Sequence, residues 1–286
     1  MLYRCYAKVN FTLEVMGKRP DGYHELASLV HTINLADDLR VEPADELLTR
    51  VEGLDIDPET NLVSRAAELL RNALRERRGA ELSLIKRIPA AAGLGGGSSD
   101  AATTLVALNT FWGSGLRLHS LAELAAEIGS DVPFFLRGGA AIMRSRGEAL
   151  QLLTPLVGQW LVLLVPPHDV LDKTRRLYAA LVPSDFSSGD ATQHAAERLR
   201  RGQPFECVNA FERAAREVFP GLSEAWQDAE RRSKRAFHLS GAGPALFAFA
   251  SDRADAQQIA NLLGEGGYAV RTVRHARATT NVIRYP

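Results

Sequence analysis

Between Lys8 and Val15 polar and apolar residues alternate, with Val9, Phe11, Leu13 and Val15 on one face and Lys8, Asn10, Thr12 and Glu14 on the other. That period of two predicts a strand over 2–16, and it projects Lys8 and Asn10 side by side, roughly 7 Å apart. The same alternation predicts a strand over 81–88, closed by Pro89. Ala101, Leu105 and Leu108 have the spacing of a helix lying on a core. Further strands are expected at 27–34, 39–43 and 138–143, and a helix from Asn61 to about Leu74 with Asn61 as its cap. Ser120 and Glu123 read as a capping box that opens a short helix ending at Gly129. Asp131, just ahead of Pro133, stands where a carboxylate caps a helix.

The pattern changes near 153–159. A continuous apolar strand at 160–165 is followed by helical spacing at 172–181, 191–201, 205–218 and 222–233. After a strand starting at 236 come a glycine turn at 240–244, a strand at 245–250, a helix at 254–263 and strands at 269–274 and 280–284. Both halves mix helices and strands, so the expectation is an α+β protein of two domains, 1–156 and 157–286.

Composition narrows the classes. The chain has 286 residues, enough for two cores, and is 46% hydrophobic and 24% charged, as soluble globular proteins are. Lys plus Arg balances Asp plus Glu at 34 each, so no excess charge attracts nucleic acid or an anionic membrane. The basic runs at 75–78, 198–201 and 231–235 fall in or near helical stretches and read as solvated faces. No apolar run approaches the roughly 18 residues of a membrane span. Cys5 and Cys207 have neither metal nor redox spacing, which fits free thiols in a reducing cytosol. The seven histidines include no His-x-x-x-His pair, and no residue is singled out as a metal ligand.

The chemistry concentrates at 89–102, Pro-Ala-Ala-Ala-Gly-Leu-Gly-Gly-Gly-Ser-Ser-Asp-Ala-Ala, a loop entering a helix. Glycines let a ligand approach the backbone amides, and a helix N-terminus presents unpaired N–H groups and a positive dipole end. Together they make an anion site, with polyphosphate the natural anion and an ordinary flexible turn the bland alternative. A Walker A loop would place Lys and then Ser or Thr after the last glycine, but Ser98, Ser99 and Asp100 follow Gly97. A dinucleotide fingerprint read from Gly93 fails at Ser98. A second candidate loop, 17–25, carries Tyr23 and His24 beside a glycine.

Taken together, five stretches resemble the GHMP kinase superfamily: Ala7-Lys8-Val9-Asn10, the 89–102 loop, Leu239-Ser240-Gly241-Ala242-Gly243-Pro244, Arg19-Pro20-Asp21-Gly22-Tyr23-His24-Glu25 and Gly129-Ser130-Asp131-Val132-Pro133-Phe134-Phe135. The resemblance implies the two-domain GHMP kinase fold: an N-terminal nucleotide-binding domain and a C-terminal α/β-sandwich-like domain with a cleft between them. It implies a cytoplasmic enzyme, monomer or weak homodimer, that uses ATP and Mg2+ to phosphorylate an alcohol, with no nucleic-acid or membrane partner. By resemblance Asp131 is the general base and Lys8 its charged neighbour. Asn10 would hold the substrate, and Tyr23 and His24 would form a cytosine site faced by Tyr178, with Thr174 one turn earlier. The small-molecule substrate so implied is a cytidine diphosphate-linked methylerythritol. Asn61 and Lys86 fall to the adenine side; Pro89, Ala90, Ala91, Ala92, Gly93, Leu94, Gly95, Gly96, Gly97, Ser98 and Ser99 fall to the phosphates. Two departures stand out: residues 168–174 differ from the usual Val-Ser-Thr pattern, and Ala242 replaces a frequent Ser or Thr. The rival readings are a superfamily kinase for homoserine, a sugar or mevalonate, and a nucleotide-binding regulator without catalysis.

Overall fold

The computed structural model describes residues 1–53, 61–156, 158–167, 170–275 and 282–283. Its organising element is one long strand. The chain enters as β1 (Leu2–Asn10) and β2 (Thr12–Lys18), and β3 (His24–Glu42) runs antiparallel to both, pairing its start with β2 and the rest with β1. The single strand expected over 2–16 is therefore split at Phe11, whose N–H turns to Leu29 O at 2.7 Å while its ring packs against Phe205, Phe247 and Phe249. Conversely, the two strands expected at 27–34 and 39–43 are one. Asp37, one of two aspartates between them, does not end the strand, because its carboxylate is satisfied inside the protein by Lys86 and by the N–H groups of Arg87 and Ile88.

β4 (Leu47–Glu52), which the periodicity left unassigned, pairs parallel with β5 (Ala80–Ile85) after α1 (Leu62–Leu74). Helices α2 (Gly96–Phe111), α3 (Leu118–Ile128) and α4 (Val132–Phe135) follow, then β6 (Ala140–Ser145) and β7 (Ala149–Leu153). β5 and β6 take the far edge of β3, so this strand alone contacts four others. The helices cover one face of the sheet, with Tyr3, Leu39, Leu70, Leu82, Leu105 and Phe134 in a shared core. The capping box expected at Ser120 is not one. α3 begins two residues earlier with Arg117 at its cap position, and Glu123 lies 3.2 Å from His119 across one turn.

A second sheet is built from β8 (Trp160–Leu164), and after it come α5 (Lys173–Ala179), α6 (Asp190–Arg200), β9 (Val208–Asn209), α7 (Glu212–Val218), α8 (Leu222–Ser233), β10 (His238–Leu239), β11 (Leu246–Ala250), α9 (Arg253–Gly264) and β12 (Val270–Arg274). Its order is β10-β11-β8-β12, all antiparallel. β8 reads as a continuous apolar run because both its faces are covered. Leu161 and Leu163 pack on Val9, Phe11 and Ile33 of the first sheet, and Val162 and Leu164 pack under α7, α8 and α9. The helix expected over 205–218 starts only at Glu212, since Val208 and Asn209 leave to pair with β2. At the chain's end β13 (Val282–Ile283) pairs with β1, so the terminal strand returns to the first sheet; the rest of the 280–284 expectation lies outside the described residues.

Between the sheets, His31 and His275 stack with ring centroids 4.2 Å apart, fully enclosed beside Phe11. Burial holds His31 down to about 4, and burial together with the charge His31 would carry holds His275 down to about 2. Both imidazoles are therefore neutral in the folded protein at pH 7, while the unfolded chain takes up protons on them below about 6.5. Their contribution is complete above that value and is lost as pH falls towards 4, at about 1.4 kcal/mol per pH unit per histidine. Urea unfolding should show a lower midpoint at pH 5 than at pH 7, and His275→Phe should reduce that difference; an unchanged difference refutes the assignment.

Candidate active site

The three glycine- and polar-rich motifs, far apart in the chain, converge on Ala92 to Leu94. Lys8 N–H donates to Leu94 O at 2.9 Å, Ala245 N–H to Ala92 O at 3.0 Å and Ser240 Oγ–H to Gly93 O at 3.1 Å. Glycine is required where they meet. Gly93 has φ +85°, and a Cβ there would lie 2.1 Å from Ser240 O; Gly95 has φ +72°, and a Cβ there would lie 2.7 Å from the Phe135 ring. Gly95 is also the cap position of α2, and no side chain caps that helix. The first amides of α2 are thus left for a ligand, at the positive end of a 16-residue dipole.

This loop forms the floor of a cleft of about 990 Å³. Lys8, Asn10, Asn61, Lys86, Ser98, Asp131, Thr174 and Tyr178 all reach its wall, as do Tyr23 and His24. Of the loop residues singled out in the sequence, Leu94 and Ser99 do not: Leu94 turns into the core and serves through its carbonyl, and Ser99 is buried within α2.

Lys8 and Asp131, 123 residues apart in the sequence, face one another with Nζ and Oδ2 separated by 3.8 Å. Asp131 occupies the cap position of α4, but its side chain makes no capping bond and is free to face the cleft. Lys8 is almost wholly buried, Asp131 about 40% exposed. Burial lowers the Lys8 ammonium below its ordinary range, and the Asp131 carboxylate opposes that shift. Nζ also donates to Asn10 Oδ1 and, at 3.1 Å, to Gly93 O. Asn10 in turn donates through Nδ2 to Ser28 Oγ at 2.7 Å, and Ser28 donates to Thr12 O. The side-by-side projection of Lys8 and Asn10 in β1 becomes a fixed chain of hydrogen bonds that aims one ammonium at one carboxylate. A hydroxyl oxygen fits within hydrogen-bonding distance of both.

At the opposite end of the loop, Lys86 Nζ lies 2.5 Å from Asp37 Oδ2 and 2.7 Å from Asp100 Oδ2. Asn61 caps α1 through Val63 N–H and lies on the same wall. Burial pushes Asp100 up to about 7 against the pull of Lys86, and its second oxygen has no hydrogen-bond partner among the described residues. Asp37→Ala would leave Lys86 with one fewer counter-charge and two amides without an acceptor. It should cost about 3–5 kcal/mol, read as a shift in the urea midpoint, while a loss below about 1 kcal/mol would place the pair among weak surface ion pairs.

The cleft ends in aromatic groups. His24 stacks on Tyr178 with centroids 4.5 Å apart and planes 19° apart, and Phe211 meets Tyr178 edge-on at 4.9 Å. Tyr23 is more than half exposed, with the Arg146 guanidinium 5.0 Å above its ring. Tyr178, expected to face Tyr23 and His24 across a base, stacks directly on His24. Arg146, Ser28 and Asp37 went unnoticed in the sequence: each lies in an ordinary strand or loop position, and only the fold brings it to the site; Ser240 was visible as part of a turn, but not its bond to Gly93 O.

A deep cleft, an uncapped helix N-terminus at a glycine loop and a Lys–Asp pair at its mouth define a kinase of small molecules. The comparisons agree: the GHMP kinases N terminal domain is matched over residues 61–139 and the GHMP kinases C terminal domain over 190–269, and the chain belongs to the GHMP kinases. Within that family it is 41% identical over 266 residues to the 4-diphosphocytidyl-2-C-methyl-D-erythritol kinase of Dehalococcoides mccartyi, covering 92% of this chain and 93% of that one. It is 42% identical to the enzyme of the same name from Pelotomaculum thermopropionicum, over 89% and 90% of the two chains. A crystal structure of 4-(cytidine 5'-diphospho)-2C-methyl-D-erythritol kinase superposes with a TM-score of 0.82 at 36% identity, over 96% of this chain and 99% of that one.

Proposed function

We propose that the chain transfers the γ-phosphoryl group of ATP to the 2-hydroxyl of 4-diphosphocytidyl-2-C-methyl-D-erythritol, releasing ADP and the 2-phosphate. The observation that carries this reading is the Lys8–Asp131 pair, 3.8 Å apart at the mouth of the glycine loop. The relatives and the aromatic end of the cleft support the choice of alcohol.

ATP lies with its triphosphate over Gly93 to Ser98 and its base towards Asn61 and Lys86. The cytosine lies among Tyr23, His24 and Tyr178, with Thr174 and Asn10 along the substrate. Asp131 takes the proton of the hydroxyl as its oxygen attacks the γ-phosphorus in line. The bond to the β,γ-bridging oxygen breaks and ADP leaves. Lys8 holds Asp131 and the attacking oxygen together, and the α2 amides meet the charge on the transferring group, so the rate comes from positioning and electrostatics. The wall fits a Mg2+ that arrives on the nucleotide: Ser98 offers a hydroxyl at the first turn of α2, and such an ion needs few protein ligands beside phosphate oxygens. It would neutralise charge on the departing oxygens.

Residues 1–156 form the nucleotide-binding domain and 157–286 the second domain in this reading, and the enzyme works in the cytoplasm as a monomer or weak homodimer. Its two free thiols fit a reducing compartment. Among the described residues no helix is long and apolar enough to cross a membrane. The test is ADP release with the cytidine substrate present and absent, beside homoserine, mevalonate and a sugar panel. Release with one of the latter alone overturns the substrate, and release with none overturns the kinase.

A further inference from the structure

Three lysines reach the wall of the cleft, and their partners differ. Lys86 sits between two carboxylates and Lys8 faces one. Lys173, the first residue of α5, has no carboxylate within ion-pairing distance among the described residues. Its Nζ donates instead to two backbone carbonyls, Ala91 O in the glycine loop and, at 2.6 Å, Gly243 O in the 240–244 turn.

An ammonium has three N–H donors, and neutral carbonyls occupy two of them. Carbonyls fix its place without cancelling its charge. Burial, with the charge of Lys8 added, accordingly lowers Lys173 to about 8. The turn that it touches brings no hydroxyl of its own to the cleft, since Ala242 is an alkyl side chain and Ser240 Oγ is already bonded to Gly93 O. The site thus holds a preplaced positive charge with, among the described residues, one donor left over, between a phosphate-type loop and the turn that closes over it.

We infer that Lys173 is a phosphate-binding residue, whose ammonium meets the β- and γ-phosphate oxygens of the bound nucleotide and locks the 240–244 turn onto the glycine loop. This deepens the kinase reading and rests on it. Nothing in the 168–174 segment advertised the role, because it lies where the sequence departs from the family pattern.

The test uses the full chain with Lys173→Met and Lys173→Arg, and isothermal titration with tripolyphosphate, ATP and adenosine as probes. Lys173→Met should weaken tripolyphosphate and ATP about 10- to 100-fold, the loss expected for a hydrogen bond to a charged group, and leave adenosine binding unchanged. Lys173→Arg should recover most of that loss. The pH profile adds a readout that a strut would not move. Tripolyphosphate binding to the wild type should weaken as pH rises through about 8, because the protonated amine is the form that binds; the arginine variant should lack that component. Lys8, Asp131 and the Lys86–Asp37–Asp100 group face the same cleft, but they are common to both proteins and cancel in the comparison. Unchanged tripolyphosphate affinity in Lys173→Met, or identical profiles for wild type and Lys173→Arg, overturns the assignment. If the methionine variant does not fold, the arginine comparison still decides. A wild type that binds tripolyphosphate through Lys173 but transfers no phosphate would sink the kinase reading alone.

Discussion

Asp131→Asn should lower turnover about 100- to 10,000-fold, the range for losing a general base, while ATP binding stays as in the wild type. The amide has the size of the carboxylate but cannot take up the proton of the attacking hydroxyl. The local fold does not depend on the carboxylate, because it makes no capping bond to α4 and stands about 40% exposed at the cleft. Its loss does reach Lys8, whose ammonium is held in a buried place partly by the charge of Asp131. In the variant the Lys8 amine therefore titrates lower still, and any residual activity should decline at a lower pH than the wild-type rate does. Steady-state rates and calorimetric titration of ATP separate the two effects. A variant with near wild-type turnover would remove the proton-transfer role from Asp131; one that loses ATP binding would make the residue structural.

That experiment also bears on why Lys8 and Asn10 occupy one strand face. Alternation in β1 was enough to place the pair side by side. It could not tell a solvated polar face from a site, since the deciding contacts come from Gly93, Ser28 and Asp131, each far away in the chain. The glycine loop was legible because both its flanks announce themselves: an alternating strand before it and a helical spacing after it. Its partner turn at 240–244 was visible as a turn, but the bond from Ser240 to Gly93 follows from the packing of one sheet on the other. Where the reading failed, tertiary contacts had replaced a local signal. Asp37 falls in the gap left between the strands expected at 27–34 and 39–43 and is an interior acceptor within one strand. Phe11 looks like one more alternating residue and is the point where β1 gives way to β2. Ser120 and Glu123 have capping-box spacing, yet the helix already begins at Leu118, so Ser120 lies inside its first turn and Glu123 faces His119 instead. Lys173 was hidden for a related reason: a lysine in the first turn of a short helix reads as surface charge until two carbonyls from distant motifs are seen around its nitrogen.

The largest effect expected from a single methyl group is at Gly93. A Cβ there would stand 2.1 Å from Ser240 O and 2.9 Å from Gly243 N, and both are backbone atoms that cannot swing aside as the end of a side chain could. The residue also has φ +85°, a left-handed conformation that disfavours any L side chain by about 1–2 kcal/mol. Gly93→Ala must therefore open the contact between the glycine loop and the 240–244 turn or distort the loop, and the overpacking adds about 1–3 kcal/mol. Because the Gly93 carbonyl also receives Lys8 and Ser240, the displacement travels directly to the catalytic ammonium. A shift of about 1 Å at such a site lowers rates about 100-fold, so kcat/KM for ATP should fall by at least that factor, with a clear drop in the thermal midpoint. Gly264→Ala is the control, since a Cβ at the end of α9 meets nothing within 4 Å. Wild-type kinetics in Gly93→Ala would mean that loop and turn do not close on each other during turnover, and the cleft would then have to assemble by a motion that separates them.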